Sequence, residues 1–270
     1  MAQQTNQVES WDRKYRAYQA TLASRYLIPV LRAWSIDPAG KRVLEVGCGD
    51  GGCAAELHRA GARVTALEID ARLAEIANAL NRDEGIEYPV HVGDICDDNC
   101  SGLGNGPFDI VLLRDVVEHL ENLEQAFRVV LAHLAPGGTL FVVFPPYYSP
   151  YGAHQQTLPR RKVGFLPYNK LPYIQLLPDA AFRRLVAGDS AANREVARLR
   201  GIRLTLGRFQ REVRAAGLRV RNRQLYLLRP SFKLRYGTPV LKASVLGAIP
   251  GLNELVVTGA YFLLERNSSA

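Results

Sequence analysis

The sequence predicts an α/β fold built on a doubly wound, mostly parallel sheet. Three observations carry the prediction. Short apolar runs alternate with helix-period segments five times between residues 40 and 144. The runs are continuous rather than alternating, as strands covered on both faces require. A glycine-rich turn joins the first run to the first helix, where backbone can approach a ligand closely. Right-handed crossovers wind such a chain into layers on both sides of the sheet and place ligands at the carboxyl ends of its strands.

The elements follow in order. Residues 9–34, ESWDRKYRAYQATLASRYLIPVLRAW, read as helix interrupted at Pro29. DPAGK turns into the first strand, RVLEVGC, and GDGG opens the helix CAAELHRAG. ARVTALEI is the second strand, and DARLAEIANALNRD is a helix with Asp70 at its N-cap. IEYPVHVGD is a third strand, weakened by Pro89, and FDIVLLRD is a fourth. VEHLENLEQAFRVVLAHLAPGG reads as one long amphipathic helix closed by Pro-Gly-Gly, and TLFVVF as the fifth strand.

Residues 145–204 are too many for an ordinary connection, so a lid or substrate-binding insertion is expected there. PDAAFRRLVAGDSAANREVARLR within it reads as a helix. Regular pattern returns with TLGRFQREVRAAG, N-capped by Thr205. The strands LRVRNRQLYLL and ELVVTGAYFLLER flank a second insertion, 229–252. One domain over 1–270 is expected: a helical lid at 1–38, a core at 39–144, the insertion at 145–204, and C-terminal strands at 205–270.

Composition bounds the function. The 270 residues are 47% hydrophobic, enough for a full core. Residues 1–140 carry a net charge of −7 and residues 141–270 a net of +15. That asymmetry fits an anionic acceptor, nucleic acid or membrane surface, and equally a solvated basic face. Four cysteines, Cys48, Cys53, Cys96 and Cys100, are too few for a disulfide scaffold, so a cytoplasmic chain with reduced thiols is expected. HVGDICDDNC matches no familiar zinc spacing, and no metal is assigned. Lys242, Pro250, Asn253 and Glu254 break the most apolar stretch, so no membrane span is read.

The turn VLEVGCGDGG satisfies G-x-G-x-x-G through Gly47, Gly49 and Gly52. Its usual reading is a dinucleotide, with Glu68 at the end of the next strand on the ribose hydroxyls. Glu45 and Asp50 argue otherwise, because carboxylates there repel a pyrophosphate and suit a ligand carrying an ammonium and a sulfonium. Asp94, ending the third strand, is placed to accept from an adenine amine.

VLEVGCGDGG, VTALEID, HVGDI, FDIVLLRDVVEHL and LAPGGTLFVV occur in the order and spacing of class I S-adenosylmethionine-dependent methyltransferases, which the chain resembles over residues 40–144. Small-molecule members, such as quinone-biosynthesis methyltransferases, are the nearest in pattern. The resemblance implies a seven-stranded, Rossmann-like methyltransferase sheet whose last strand is antiparallel. It implies S-adenosylmethionine as cofactor and S-adenosylhomocysteine as product. Gly47, Cys48, Gly49 and Gly51 would pack on the cofactor backbone, with Glu45 and Asp50 near its amino-acid end. Glu68 would hold the ribose, Ile69 and Ile95 the adenine faces, and Asp94 its edge. Arg114 and Asp115 would border the methionine portion. Glu118 and His119 read as residues that cap and fix the following helix.

The fifth strand empties into FPPYYSPYGAHQQ. Its prolines stiffen the loop, and Tyr147, Tyr148 and Tyr151 offer flat walls with polar tips, a plausible acceptor wall. His154 is the candidate general base, because its ordinary pKa suits one. An O-methyltransferase acting on a small-molecule, glycan or lipid-linked acceptor follows, with peripheral membrane contact left open. The alternatives are an RNA methyltransferase, favoured only by the basic half, a nicotinamide-dependent oxidoreductase, and a cofactor-binding protein without catalysis. Nucleic acid is disfavoured because no RNA-binding module or Asn/Asp-Pro-Pro-Tyr motif is present. Oligomeric state is not legible.

Overall fold

The first apolar run is an interior strand with a parallel neighbour on each side. The computed structural model describes residues 2–98, 100, 103, 106–159, 162–163 and 166–267. Helix α1 (Ala2–Leu22) passes through a π turn, Ala23–Leu27, into α2 (Ile28–Ala33). Pro29 sits in the first turn of α2, where its missing N–H has no partner to lose. The interruption expected at Pro29 is therefore the π turn just ahead of it.

The core then alternates as expected. Its elements are β1 (Arg42–Val46), α3 (Gly52–Arg59), β2 (Arg63–Glu68), α4 (Ala71–Glu84), β3 (Val90–Val92), β4 (Phe108–Arg114), α5 (Leu123–His133) and β5 (Leu134–Phe144). Asp70 caps α4, its side chain accepting from the amides of Arg72 and Leu73. The long helix read from VEHLENLEQAFRVV is shorter than expected. Val117–His119 is a separate 3-10 turn, Leu120 is extended, and Asn122 caps α5 by accepting from the amide of Gln125. Ala135–Gly138 does not close that helix but belongs to β5.

The region after β5 holds a two-residue hairpin, β6 (Lys162–Val163) and β7 (Leu166–Pro167), then α6 (Asp179–Leu185) and α7 (Ala191–Ile202). One helix was expected over the last two. Ser190 splits it by capping α7, its side chain accepting from the amide of Asn193. The chain ends with α8 (Leu206–Ala215), β8 (Leu218–Leu228), α9 (Pro230–Tyr236), β9 (Leu241–Lys242), α10 (Leu252–Val256) and β10 (Gly259–Arg266). Thr205 caps α8 as expected. ELVV is the helix α10 rather than strand, and β10 starts only at Gly259.

The strand order is β3-β2-β1-β4-β5-β10-β8-β9. Neighbours from β3 to β5 run parallel, and β10 runs antiparallel to both β5 and β8. This is the expected sheet with an eighth strand, the two-residue β9, added on the edge of β8.

Both sheet faces are covered. Phe144, Phe209 and Phe262 pack on one, with centroids 4.8 to 6.1 Å apart. Leu27, Leu31, Leu57 and Phe141 are buried on the other. Each such side chain contributes about 1.5–3 kcal/mol by leaving water. Arg219 and Arg221 on β8 both reach Glu265, so the arginine face is partly neutralised. No helix among the described residues is long and apolar enough to cross a membrane.

Candidate functional site

The turn after β1 is built from glycines in left-handed backbone. Gly47, Gly49 and Gly51 have φ of 69°, 57° and 77°. A Cβ on Gly47 would stand 2.5 Å from Val116 Cγ2, and one on Gly51 would stand 2.6 Å from the Tyr88 hydroxyl. That hydroxyl donates to the Gly51 carbonyl at 2.9 Å and holds the turn. Glu68, ending β2, accepts from the amides of Gly49 at 2.7 Å and Asp70 at 3.0 Å. The turn and the strand end are thereby locked together.

A cavity of about 570 Å³ opens here, at the carboxyl ends of the strands. Gly47, Glu68, Ile69, Asp94 and Asp115 line it, as expected of cofactor contacts. Ile69 is 65% exposed and presents an apolar surface to the cavity. Asp94 accepts from the amide of Cys96 at 2.8 Å. Ile95 is turned into the core instead, so the apolar contact expected of it falls to Ile69.

Glu45, Cys48, Asp50 and Arg114 form a layer behind the cavity wall. Glu45 is fully buried, and among the described residues neither of its carboxylate oxygens has a hydrogen-bond partner. Burial pushes its pKa up to about 7, against the pull of Arg114, whose guanidinium lies 4.0 Å away. Burial likewise raises Asp50 to about 6. Arg114 donates to Gln19 of α1 at 2.6 Å and lies 3.7 Å from Asp115. A site with surplus buried carboxylate fits a ligand that brings positive charge.

Asp115, Glu118 and His119 follow β4, and the structure gives them more than a capping role. Asp115 adopts φ 54° and accepts from Arg229 at 3.2 Å. Burial alone would raise its pKa, but Arg229 and Arg114 hold it below the ordinary carboxylate value. Glu118 is buried with both oxygens unpartnered, and burial pushes its carboxyl up. His119 lines the cavity and pairs through Nδ1 with Glu195 of α7. Burial alone would lower His119, but the bond to Glu195 and the charges of Glu118 and Glu195 together outweigh it and raise the imidazole. Neither residue caps α5, since Asn122 does that.

His154 is brought to the same place. Its ring centroid lies 4.9 Å from that of His119, and its Nε2 lies 3.8 Å from Glu118. Burial, with His119 and Arg229 adding to it, lowers its pKa to about 3. The ring is therefore neutral near pH 7, and its basicity falls well below the ordinary value that recommended it as a general base.

The three tyrosines of the loop are not gathered on the cavity. Tyr147 is buried in the core, and its amide donates to the Leu204 carbonyl at 2.8 Å. Tyr148 packs edge-on against Tyr147 at 5.2 Å. Tyr151 donates to the Lys170 carbonyl at 3.2 Å and packs on Phe232. Their first service is to fold the loop. Sequence reasoning passed over Val116, Leu120 and Arg198, which line the cavity, and Glu195, which fixes His119. The D-x-x-E-H spacing of Asp115, Glu118 and His119 was the available signal.

A family model described as a methyltransferase domain matches residues 16–187, more than half of the chain. The chain belongs to the methyltransferase domain family. The resemblance read from the sequence is borne out, and with it the enzyme class, an S-adenosylmethionine-dependent methyltransferase. Among curated relatives, the ubiquinone biosynthesis O-methyltransferase of Xanthomonas axonopodis pv. citri is 32% identical over 107 residues, which are 40% of this chain and 44% of that protein. The chain thus spans less than half the length of the curated relatives it matches. An S-adenosylmethionine-dependent methyltransferase of Clostridium acetobutylicum superposes with TM-score 0.57 at 12% identity, covering 98% of this chain and 99% of that one. A geranyl diphosphate C-methyltransferase of Streptomyces coelicolor gives TM-score 0.57 at 13% identity, covering 90% and 79%. At these identities the likeness is one of fold. It covers the sheet and helices of this methyltransferase and leaves its acceptor open.

Proposed function

We propose that this methyltransferase transfers a methyl group to an oxygen of a small-molecule, glycan or lipid-linked acceptor. The observation that carries the reading is one juxtaposition. The cavity lined by Gly47, Glu68, Ile69 and Asp94 shares its rim with Asp115 and His119, and through His119 with Glu118 and His154. An oxygen acceptor must shed a proton, and lone-pair donors beside the methyl source serve that need. The ubiquinone biosynthesis O-methyltransferases among the relatives agree with an oxygen acceptor by name.

S-adenosylmethionine, when bound, supplies an electrophilic methyl group on a sulfonium. The residues of the chain do the rest. Glu68 and Asp94 offer acceptors for ribose hydroxyls and an adenine amine, and Ile69 offers an apolar face. The buried carboxylates of Glu45 and Asp50 favour the cationic end of the ligand. The fold brings acceptor and methyl together, which supplies much of the acceleration in such a displacement. His119, steadied by Glu195, and neutral His154 stand on the acceptor side, where a hydroxyl proton would leave. Of the three loop tyrosines, Tyr148 and Tyr151 are partly exposed and Tyr147 is buried, which takes Tyr147 out of the expected acceptor wall.

Methyl-labelled S-adenosylmethionine, the full chain and an extract split into protein, RNA, lipid and small-molecule or glycan fractions test the reading. Label in the lipid or small-molecule fraction as an alkali-stable methyl ether is the expected result. Label confined to RNA or protein, or on carbon or nitrogen, would overturn it.

A further inference from the structure

Two imidazoles converge on one buried carboxylate. His119 Nε2 lies 3.9 Å and His154 Nε2 lies 3.8 Å from the same oxygen of Glu118. One ligand atom from each of the three residues falls within 4.8 Å of the others. Ligands held about 2.0–2.2 Å from a shared cation stand roughly 3–3.5 Å apart, so small side-chain adjustments close the set.

Glu118 supplies an independent observation. It is only 4% exposed, and neither oxygen has a hydrogen-bond partner among the described residues. A carboxyl buried in that condition keeps its proton unless a cation takes the proton's place. The surroundings agree. Nδ1 of His119 is bound to Glu195, which accepts from Arg198 at 3.0 and 2.9 Å. A metal-binding histidine gives its other ring nitrogen to a carboxylate in the same way, which turns Nε2 toward the metal. Asp115, beside the cluster, is held by Arg229 and Arg114 and stays a neighbour rather than a ligand.

We propose that Glu118, His119 and His154 bind one divalent first-row transition cation at the edge of the cofactor cavity. Two nitrogens and one carboxylate suit Mn²⁺, Fe²⁺, Co²⁺ or Zn²⁺, whereas Mg²⁺ and Ca²⁺ prefer sets made of oxygen. Three protein ligands leave positions open for the oxygens of an acceptor. A hydroxyl bound there releases its proton to water, its oxygen bonds to the methyl carbon, and the electrons of the broken S–C bond stay on sulfur. That use of the metal rests on the O-methyltransferase reading; the site itself does not.

The test uses the metal-stripped full chain, with Mn²⁺ followed by electron paramagnetic resonance and calorimetry, and Mg²⁺ as the comparison. One saturable Mn²⁺ per chain is expected, bound more tightly than Mg²⁺. Glu118→Gln and His154→Ala should each weaken Mn²⁺ roughly tenfold or more. S-adenosylhomocysteine binding, measured in parallel, should stay within about twofold and shows that each variant is folded. Absence of saturable Mn²⁺ binding, or equal binding by both variants and the parent chain, overturns the site. Failure of the parent chain to bind S-adenosylhomocysteine would instead sink the methyltransferase reading.

Discussion

Arg16 of α1 donates to the carbonyl of Asp50, in the glycine turn, at 2.7 Å. The same guanidinium donates to Asn81 at 2.8 Å and pairs with Glu84 at 2.7 Å. One side chain thus ties the N-terminal helix and α4 to the cofactor turn. Arg16→Ala leaves a buried carbonyl and amide without partners and one partly exposed carboxylate with a partner fewer. A loss of about 2–4 kcal/mol in denaturant unfolding is expected. Cofactor affinity should fall with it, because the turn loses a brace.

Gly47 faces Val116 across the cavity wall. Gly47→Ala must hold left-handed backbone, at about 1–2 kcal/mol, and must also displace the Val116 methyl that its Cβ would meet at 2.5 Å. Calorimetry should show cofactor binding weakened roughly tenfold or more, as expected where backbone approaches the ligand. Adding Val116→Ala removes the clash and leaves the backbone strain, so partial recovery is expected. No recovery would show that the clash is not the cause.

The pKa of Glu45 links cofactor binding to pH. Its carboxyl is raised to about 7 in the folded chain from an ordinary 4.5. Between those values the native state holds a proton that the unfolded chain has released. Stability of the empty protein therefore falls as pH rises through that window, by roughly 1.4 kcal/mol per unit at most. A cationic ligand favours the ionised form, so its affinity should rise over the same range. Glu45→Gln should flatten both curves; an unchanged affinity profile would place the linkage elsewhere.

On the proposed reading, Glu195 acts on chemistry through its bond to His119. Glu195→Ala frees the imidazole to rotate, and misplacement of about 1 Å costs up to roughly a hundredfold in rate. A fall in kcat with cofactor affinity unchanged is expected. A rise in the Kd of S-adenosylhomocysteine with kcat intact would make Glu195 part of the cavity instead.

The cofactor half was legible in the sequence because its signals are local. β1 to β5, the glycine turn, Glu68, Asp94 and the Asp70 cap are each specified within a few residues of themselves. The acceptor side was not, because its meaning lies in distance. Glu118 and His119 become a site only when His154 and Glu195 arrive, 36 residues beyond Glu118 and 76 beyond His119. Tyr147 was misjudged for a related reason: an aromatic in a loop reads as a wall, while the Leu204 carbonyl and the core decide where it points. Asn122 shows how one polar side chain moves a helix start by several residues without disturbing the apolar period that follows.

The strand β10 lies between β5 and β8, and its first six residues are buried. The sheet therefore cannot be finished as the chain emerges from the ribosome. The interior strand β10 is made after both of its partners, and until then the edge of β5 waits unpaired. A premature stop upstream of Gly259 would yield a sticky intermediate rather than a weak enzyme. Such products should meet chaperones and proteases, and a cell carrying the truncated gene should contain little of the protein at all.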